Sequence, residues 1–227
     1  SDEVGATALS SSEVTLVTAL SASAAFVTDQ AAGAAVLDVF SLAINRVVDA
    51  AMHKINDDVL ALATSITSSA GANTTTNDVS NMNTAITAFR AVVKGNLSGR
   101  CVAVMHDDAL RDLGEDAVNT TNSLFGSAVG ESLFAGSQQV QQGQFAQFGK
   151  VTFVSTEDMP VGDTTGWSNM LLDAGGSETL LGIAVSKEVS VELWREPKRF
   201  GTWVIASTDH KAGILDQSRG HRFITKT

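Results

Sequence analysis

The chain has 227 residues, 44% hydrophobic and 18% charged, with a formal net charge of −10, an ordinary globular balance with room for one large domain or two small lobes. No apolar stretch approaches the ~18 residues of a bilayer span and no basic-then-apolar leader opens the chain, so neither membrane insertion nor secretion is expected. The charge is uneven: residues 1–53 hold six acids and one base, whereas residues 187–227 hold five acids and eight bases. That distribution argues against sequence-specific reading of nucleic acid and suits a subunit whose one end meets the other end of a neighbour.

Residues 1–13 are acidic, small and polar, the composition of an arm that buries little by itself. They open on Ser1 with no methionine, from which removal of something ahead is expected. Residues 14–17 alternate as a short strand, and residues 19–27 lead as a loop into the dominant element. Residues 28–64 predict one long helix, with Thr28 and Asp29 as capping oxygens. Its apolar stripe runs through Leu37, Phe40, Ile44, Val47, Ala51, Ile55, Val59 and Leu62. Such a helix is on the order of 50 Å long, against roughly 30 Å for a small domain, and implies a plate-like subunit built to be tiled. The stripe is wider than the two-in-seven seam of a coiled coil, the competing reading.

Residues 64–77, mostly Thr, Ser, Ala, Gly and Asn, read as a flexible connection and lobe boundary. A second helix follows, capped by Asp78, carrying Met82, Ile86, Phe89 and Val93 and stopped at Gly95. Residues 101–105 form a strand in which Cys101, the single cysteine, acts as a small buried hydrophobe. One cysteine rules out an intrachain disulfide and fits a reducing compartment. Asp107 or Asp108 caps a third helix bearing Leu110, Leu113 and Val118. Residues 138–147 are rich in glutamine. A strand over 151–155 is ended by Pro160 and Gly162, residues 163–176 read as a long polar loop holding Trp167, and residues 180–185 are an apolar run of undefined type. Strands over 189–195 and 202–207 flank Glu196, Pro197, Lys198, Arg199, Phe200 and Gly201 as a hairpin. Residues 209–213 turn, and residues 221–225 close as a last strand. The fold class is α+β.

This succession, with "AAFVTDQAAGAAVLDVFSLAINRVVDAAMHKINDDVL", "CVAVMHDDALRDLG", "FGKVTFVSTEDMP" and "VSVELWREPKRFGTWVIASTDHKAGILDQSRGHRFIT", resembles the major capsid proteins of tailed bacteriophages, the Hong Kong 97-like fold. The likeness lies in the order and spacing of elements across nearly the whole chain. It implies an N-terminal arm and short extended loop over residues 1–27, a spine helix of the peripheral domain over 28–64, an axial domain over 65–185 and peripheral-domain strands over 186–227. It also implies a structural protein, not an enzyme, without cofactor or metal, which self-assembles into the icosahedral shell around a phage's double-stranded DNA. Its implied partners are copies of itself in pentamers and hexamers, scaffold, portal or decoration proteins, and DNA held without sequence-specific contacts. No membrane partner is implied, and its place is the virion, after assembly in the host cytoplasm. An encapsulin-like nanocompartment is the alternative; it calls for an N-terminal cargo-docking helix that residues 1–13 do not resemble. The chain departs from the family in a shorter arm and loop and in Asp107, where relatives have proline after the histidine. Its first lysine is Lys54, so the lysine-based weld some relatives form on the extended loop is expected to be absent.

Competing chemistry finds little footing. A phosphate loop at residues 143–150 fails because five residues, not four, separate Gly143 from Gly149, and Val151 follows Lys150. His106 with Asp107 and Asp108, or Asp209 with His210, has neither zinc nor calcium spacing, and reads as a helix cap and a surface turn. Asn73, Asn96 and Asn119 begin glycosylation triplets that lack a secretory context. A soluble two-lobed enzyme would need convergent acid, base or metal groups, and none is found. The candidate site is therefore an interface. In the family the hairpin at 195–199 lies where three capsomers meet, which implies that Arg195, Lys198 and Arg199 crowd there with Glu196 and with Asp2, Glu3 and Glu13 of neighbouring arms as counter-charges.

Overall fold

The computed structural model describes residues 14–34, 38–72, 74–93, 101–119, 147–148, 151–162, 166–174 and 179–226. Two sheets organise them. The smaller is built from β1 (Ala19–Thr28), β8 (Leu181–Glu196) and β9 (Gly201–Ile214) in the order β1-β9-β8, antiparallel throughout. A short helix α1 (Asp29–Ala34) follows β1, its Ala31 N–H donating to the Thr28 hydroxyl at 3.1 Å. Helix α2 (Val39–Leu60) crosses the sheet and buries Ala43, Val47 and Ala51 against Val27, Val204 and Ala206, with Phe40, Ile44 and Val48 half-buried beside them. At its far end His210 Nε2 of β9 lies 3.0 Å from Asp58, which also accepts from Lys54 at 2.6 Å. Burial works to raise the Asp58 carboxyl, but the hydrogen bonds from Lys54 and His210 outweigh it and keep the group below the usual carboxylate range.

The expected single helix over 28–64 is interrupted. Asp38 sits in extended backbone and accepts from the N–H groups of Phe40 and Ser41 at 3.0 and 3.2 Å, so α2 starts afresh at Val39. An aspartate that can satisfy orphan helix donors serves as a cap in preference to a mid-helix position. The spine is thus 22 residues, about 33 Å, followed by a 3-10 turn at Ala61–Ser65. The strand expected at 14–17 begins instead at Ala19, and the stretch expected as a loop pairs along its whole length with β9. Its alanines and serines carry little strand signal; the partner strand supplies what the local sequence lacks.

The larger sheet has the order β2 (Ser69–Gly71), β10 (Gly220–Lys226), β7 (Gly166–Asp173), β3 (Cys101–His106), β5 (Val151–Thr156), β4 (Gln147–Phe148), with β6 (Val161–Gly162) paired to β7. Helices α3 (Val79–Val92) and α4 (Asp107–Asn119) cover one face. Met82, Ile86, Phe89, Leu110 and Leu113 pack there on Ala103, Met105, Val151, Phe153, Leu171 and Phe223. Asp78 caps α3 as expected, accepting from Asn81 N–H at 2.7 Å; Gly95, the expected stop, lies outside the described residues. On the opposite face Val104, Met170 and Leu172 meet Ala63, Ile66, Met159 and Leu180, and this third cluster joins the two sheets.

Three further expectations are corrected. Residues 163–176, expected as a loop, contain β7, an interior strand of the larger sheet. Its polar residues are employed: Asn169 accepts from the His106 N–H at 2.9 Å and donates to the Thr225 hydroxyl at 3.0 Å. A strand covered on both faces loses the alternation by which strands are recognised. The turn expected at 209–213 is the end of β9, where His210 is buried against Asp58. The cap of α4 is His106, whose Nδ1 accepts from Asp108 N–H at 3.1 Å while its ring stacks on Trp167 at 3.6 Å. Strand β10, at the end of the described residues, lies in the larger sheet between β2 and β7.

His221 of β10 is 2% exposed, its Nδ1 2.8 Å from the Ser68 hydroxyl, and burial pushes its imidazole below the ordinary value. The unfolded chain therefore takes up that proton first as pH falls. Stability from the neutral ring is complete above about pH 6.5 and drains away below it toward the folded value. Urea titrations of the subunit should show a falling midpoint from about pH 7 to about pH 5, and His221→Gln should flatten that slope.

Candidate assembly interface

The tip of the β8–β9 hairpin gathers the charged residues singled out in the sequence. Pro197 starts a 3-10 turn over Pro197–Arg199, Phe200 takes a left-handed conformation, and Gly201 enters β9. Gly201 is required by close approach: a Cβ there would lie 2.5 Å from the Phe26 ring and 2.6 Å from the Val27 carbonyl oxygen. The Phe200 carbonyl accepts from Asp29 N–H at 2.8 Å, which ties the tip to the start of α1.

Arg195, Glu196, Lys198 and Arg199 are brought together, but most of their charge is answered within the chain. Arg195 Nη2 lies 2.9 Å from Asp29 Oδ2. Glu196 accepts from Trp203 Nε1 at 2.8 Å and stands 3.6 Å from Arg199. Lys198 has no ion-pair partner among the described residues, and Asp2, Glu3 and Glu13 lie outside them. Exposed pairs of this kind contribute about 0–1 kcal/mol each, so they orient the tip more than they hold it.

Sequence reasoning missed the apolar part of this surface. Trp194, Trp203 and Phe26 stand in one row across the three strands, on the sheet face turned away from α2, with the Phe26 and Trp203 rings 4.9 Å apart. Trp194 is 58% and Leu193 60% exposed on β8, an edge strand whose register shifts at residues 185–190. A long apolar edge with unpaired backbone groups is a liability in a monomer and an asset in a subunit. The signal available was the run Val191, Glu192, Leu193, Trp194, too apolar for a strand with no partner beyond it. Asp29 as the partner of Arg195 had no local signal, because the two meet only through the pairing of β1, β9 and β8.

Chemistry elsewhere is sparse. Among the described residues no group of three or more His, Cys, Asp or Glu could hold a metal, and no helix is long and apolar enough to cross a membrane. Burial pushes the Cys101 thiol up to about 12, which leaves it protonated and inert.

A family model described as phage capsid protein matches residues 13–225. Among solved structures, the capsid of Myoviridae phage XM1 is similar at 12% identity and a TM-score of 0.66, over 92% of this chain and 74% of that one. The capsid of an empty GTA particle is similar at 12% identity and a TM-score of 0.66, over 100% of this chain and 80% of that one. The holo-SrpI encapsulin complex from Synechococcus elongatus PCC 7942 is similar at 10% identity and a TM-score of 0.62, over 91% and 73%. No curated protein sequence matches the chain.

Gly201→Ala should destabilise the subunit by about 1–3 kcal/mol, because the obstructing atoms include backbone as well as ring. Thermal melts check this, with Gly33→Ala as control: a Cβ at Gly33 meets nothing within 4 Å, so that variant should melt no lower than the parent.

Proposed function

The chain belongs to the phage capsid protein family, so it is a self-assembling shell subunit of a virion, and we propose that it forms pentamers and hexamers of an icosahedral shell around double-stranded DNA. The observation that carries this reading is the contrast between the two sheets. The larger is covered on both faces, whereas the smaller is covered by α2 on one face and leaves Trp194, Leu193 and the β8 edge in solvent. A subunit with one finished lobe and one half-covered lobe is completed by its neighbours.

In this reading β1, β8, β9 and α2 form the peripheral domain, and the larger sheet with α3 and α4 forms the axial domain around the capsomer axis. Residues 1–13 serve as an arm on a neighbouring subunit, and the hairpin tip meets other tips where capsomers join, with Lys198 and Arg199 facing acids of adjoining copies. The net charge of −10 suits a container for DNA, since a basic lining would hold the genome and hinder its packing. Assembly takes place in the host cytoplasm, with scaffold, portal and decoration proteins as further partners. The likeness to an encapsulin supports a second reading, a compartment that encloses protein cargo.

Negative-stain microscopy of the purified chain, followed by analysis of what the particles protect from nuclease and protease, tests both readings. Closed shells are expected; a monomer at all concentrations overturns the proposal, and shells that enclose a co-purifying enzyme without nucleic acid favour the compartment. Lys198→Glu with Arg199→Glu should weaken the joining of capsomers without unfolding the subunit, and added salt should mimic the loss in part. Normal assembly of that double variant at low and moderate salt places the contact elsewhere.

A further inference from the structure

Phe200 is held where its own chain gains little from its side chain. Its backbone lies at φ 49° and ψ 57°, the left-handed region that glycine or asparagine fills readily and an aromatic residue resists. Among the described residues it is the one non-glycine with positive φ. The residue is 73% exposed. The two backbone hydrogen bonds that fix the residue, from its N–H to Pro197 at 3.4 Å and to its carbonyl from Asp29 at 2.8 Å, would be made equally well by glycine. A residue that is both strained and exposed is retained for something outside the chain.

We propose that Phe200 is the anchor by which the hairpin tip of one subunit grips a second copy of this chain. The composition around it is that of a binding hot spot: an aromatic side chain at the apex, exposed Trp194 nearby on β8, and a polar rim of Lys198 with the paired Arg195 and Arg199. Two features make the occupant a second copy. With Arg195 paired to Asp29 and Arg199 to Glu196, the tip keeps the positive charge of Lys198, while the chain as a whole has a net charge of −10, so another copy offers complementary charge. The tip also runs directly into the exposed β8 edge, which the proposed function gives to contacts between subunits. The inference rests on the reading of the tip as a shell contact and adds which side chain secures it.

Phe200→Gly and Phe200→Asn in the full chain separate the ring from the backbone. Both variants should melt no lower than the parent as unassembled subunits, because the left-handed conformation is relieved. Both should nonetheless raise the subunit concentration needed for half-assembly by roughly tenfold or more, with Phe200→Leu intermediate. Half-assembly within about twofold of the parent overturns the proposal, as does a markedly lower melting midpoint, which would make the ring an internal support. The Lys198→Glu, Arg199→Glu variant is measured alongside. If it and Phe200→Gly both assemble normally, the tip is not a contact; if only the charge variant fails, the tip contact stands and the Phe200 anchor falls.

Discussion

The register of β9 is the constraint on which the smaller lobe depends. This one strand pairs with β1 on one side and β8 on the other, and it presents Val204 and Ala206 to the small residues Ala43, Val47 and Ala51 of α2. Small side chains on both surfaces let helix and sheet approach closely, but they also leave little apolar area to spare. A slip by one residue would turn Val204 and Ala206 away from the helix and expose them. The contact between His210 and Asp58 guards against that slip, because the imidazole reaches the carboxylate in one register alone. The hairpin tip inherits its position from the same alignment, through the pairing of Thr28 with Gly201 and the bond from Asp29 to Phe200.

The larger lobe is governed by a different economy. Its strands β3 and β7 are covered on both faces, and some of its buried polar groups bond to one another, with Asn169 bridging His106 and Thr225 and Asp173 meeting Arg219 at 3.3 Å. Those bonded pairs favour one arrangement of the strands they join. Gln217 fastens this lobe to the end of the spine, accepting from Thr67 N–H and donating to the Ser65 carbonyl, each at 3.1 Å. The junction between the lobes is thus a short turn held by side-chain hydrogen bonds and the third apolar cluster, firmer than the polar composition of residues 64–77 suggests.

What the sequence disclosed and what it hid follow from these two arrangements. Helix α3 was legible because Asp78 and the run Met82, Ile86, Phe89 combine a cap with a periodic buried face. Strands β3 and β5 were legible as compact apolar runs, and the hairpin turn from Pro197 and Gly201. Strand β7 was hidden because burial on both faces erases alternation and because Asn169 looks like a loop residue until His106 and Thr225 arrive from distant segments. Strand β1 was hidden because its alanines and serines draw strand character from β9. The break at Asp38 was legible in principle, since an aspartate followed by Phe40 and Ser41 can cap as well as continue, but periodicity carried the stripe through it. At the candidate interface the charges were visible and the aromatic row was not, for Phe26, Trp203 and Trp194 become neighbours only once three distant strands align.

The topology also decides when this protein can exist. β1 leaves the ribosome long before its partner β9, and β2 and β7 wait for β10, which follows β9. Contacts of such long range are slow to form and cannot form before β9 and β10 have been made. A chain that stops early therefore lacks the strand that aligns the small sheet and the strand that lies between β2 and β7. Such a fragment has no aligned hairpin, no docked spine and no edge to offer. Translation itself thus sorts the building stock, because only chains that extend through β10 acquire the surfaces by which one subunit is admitted beside another.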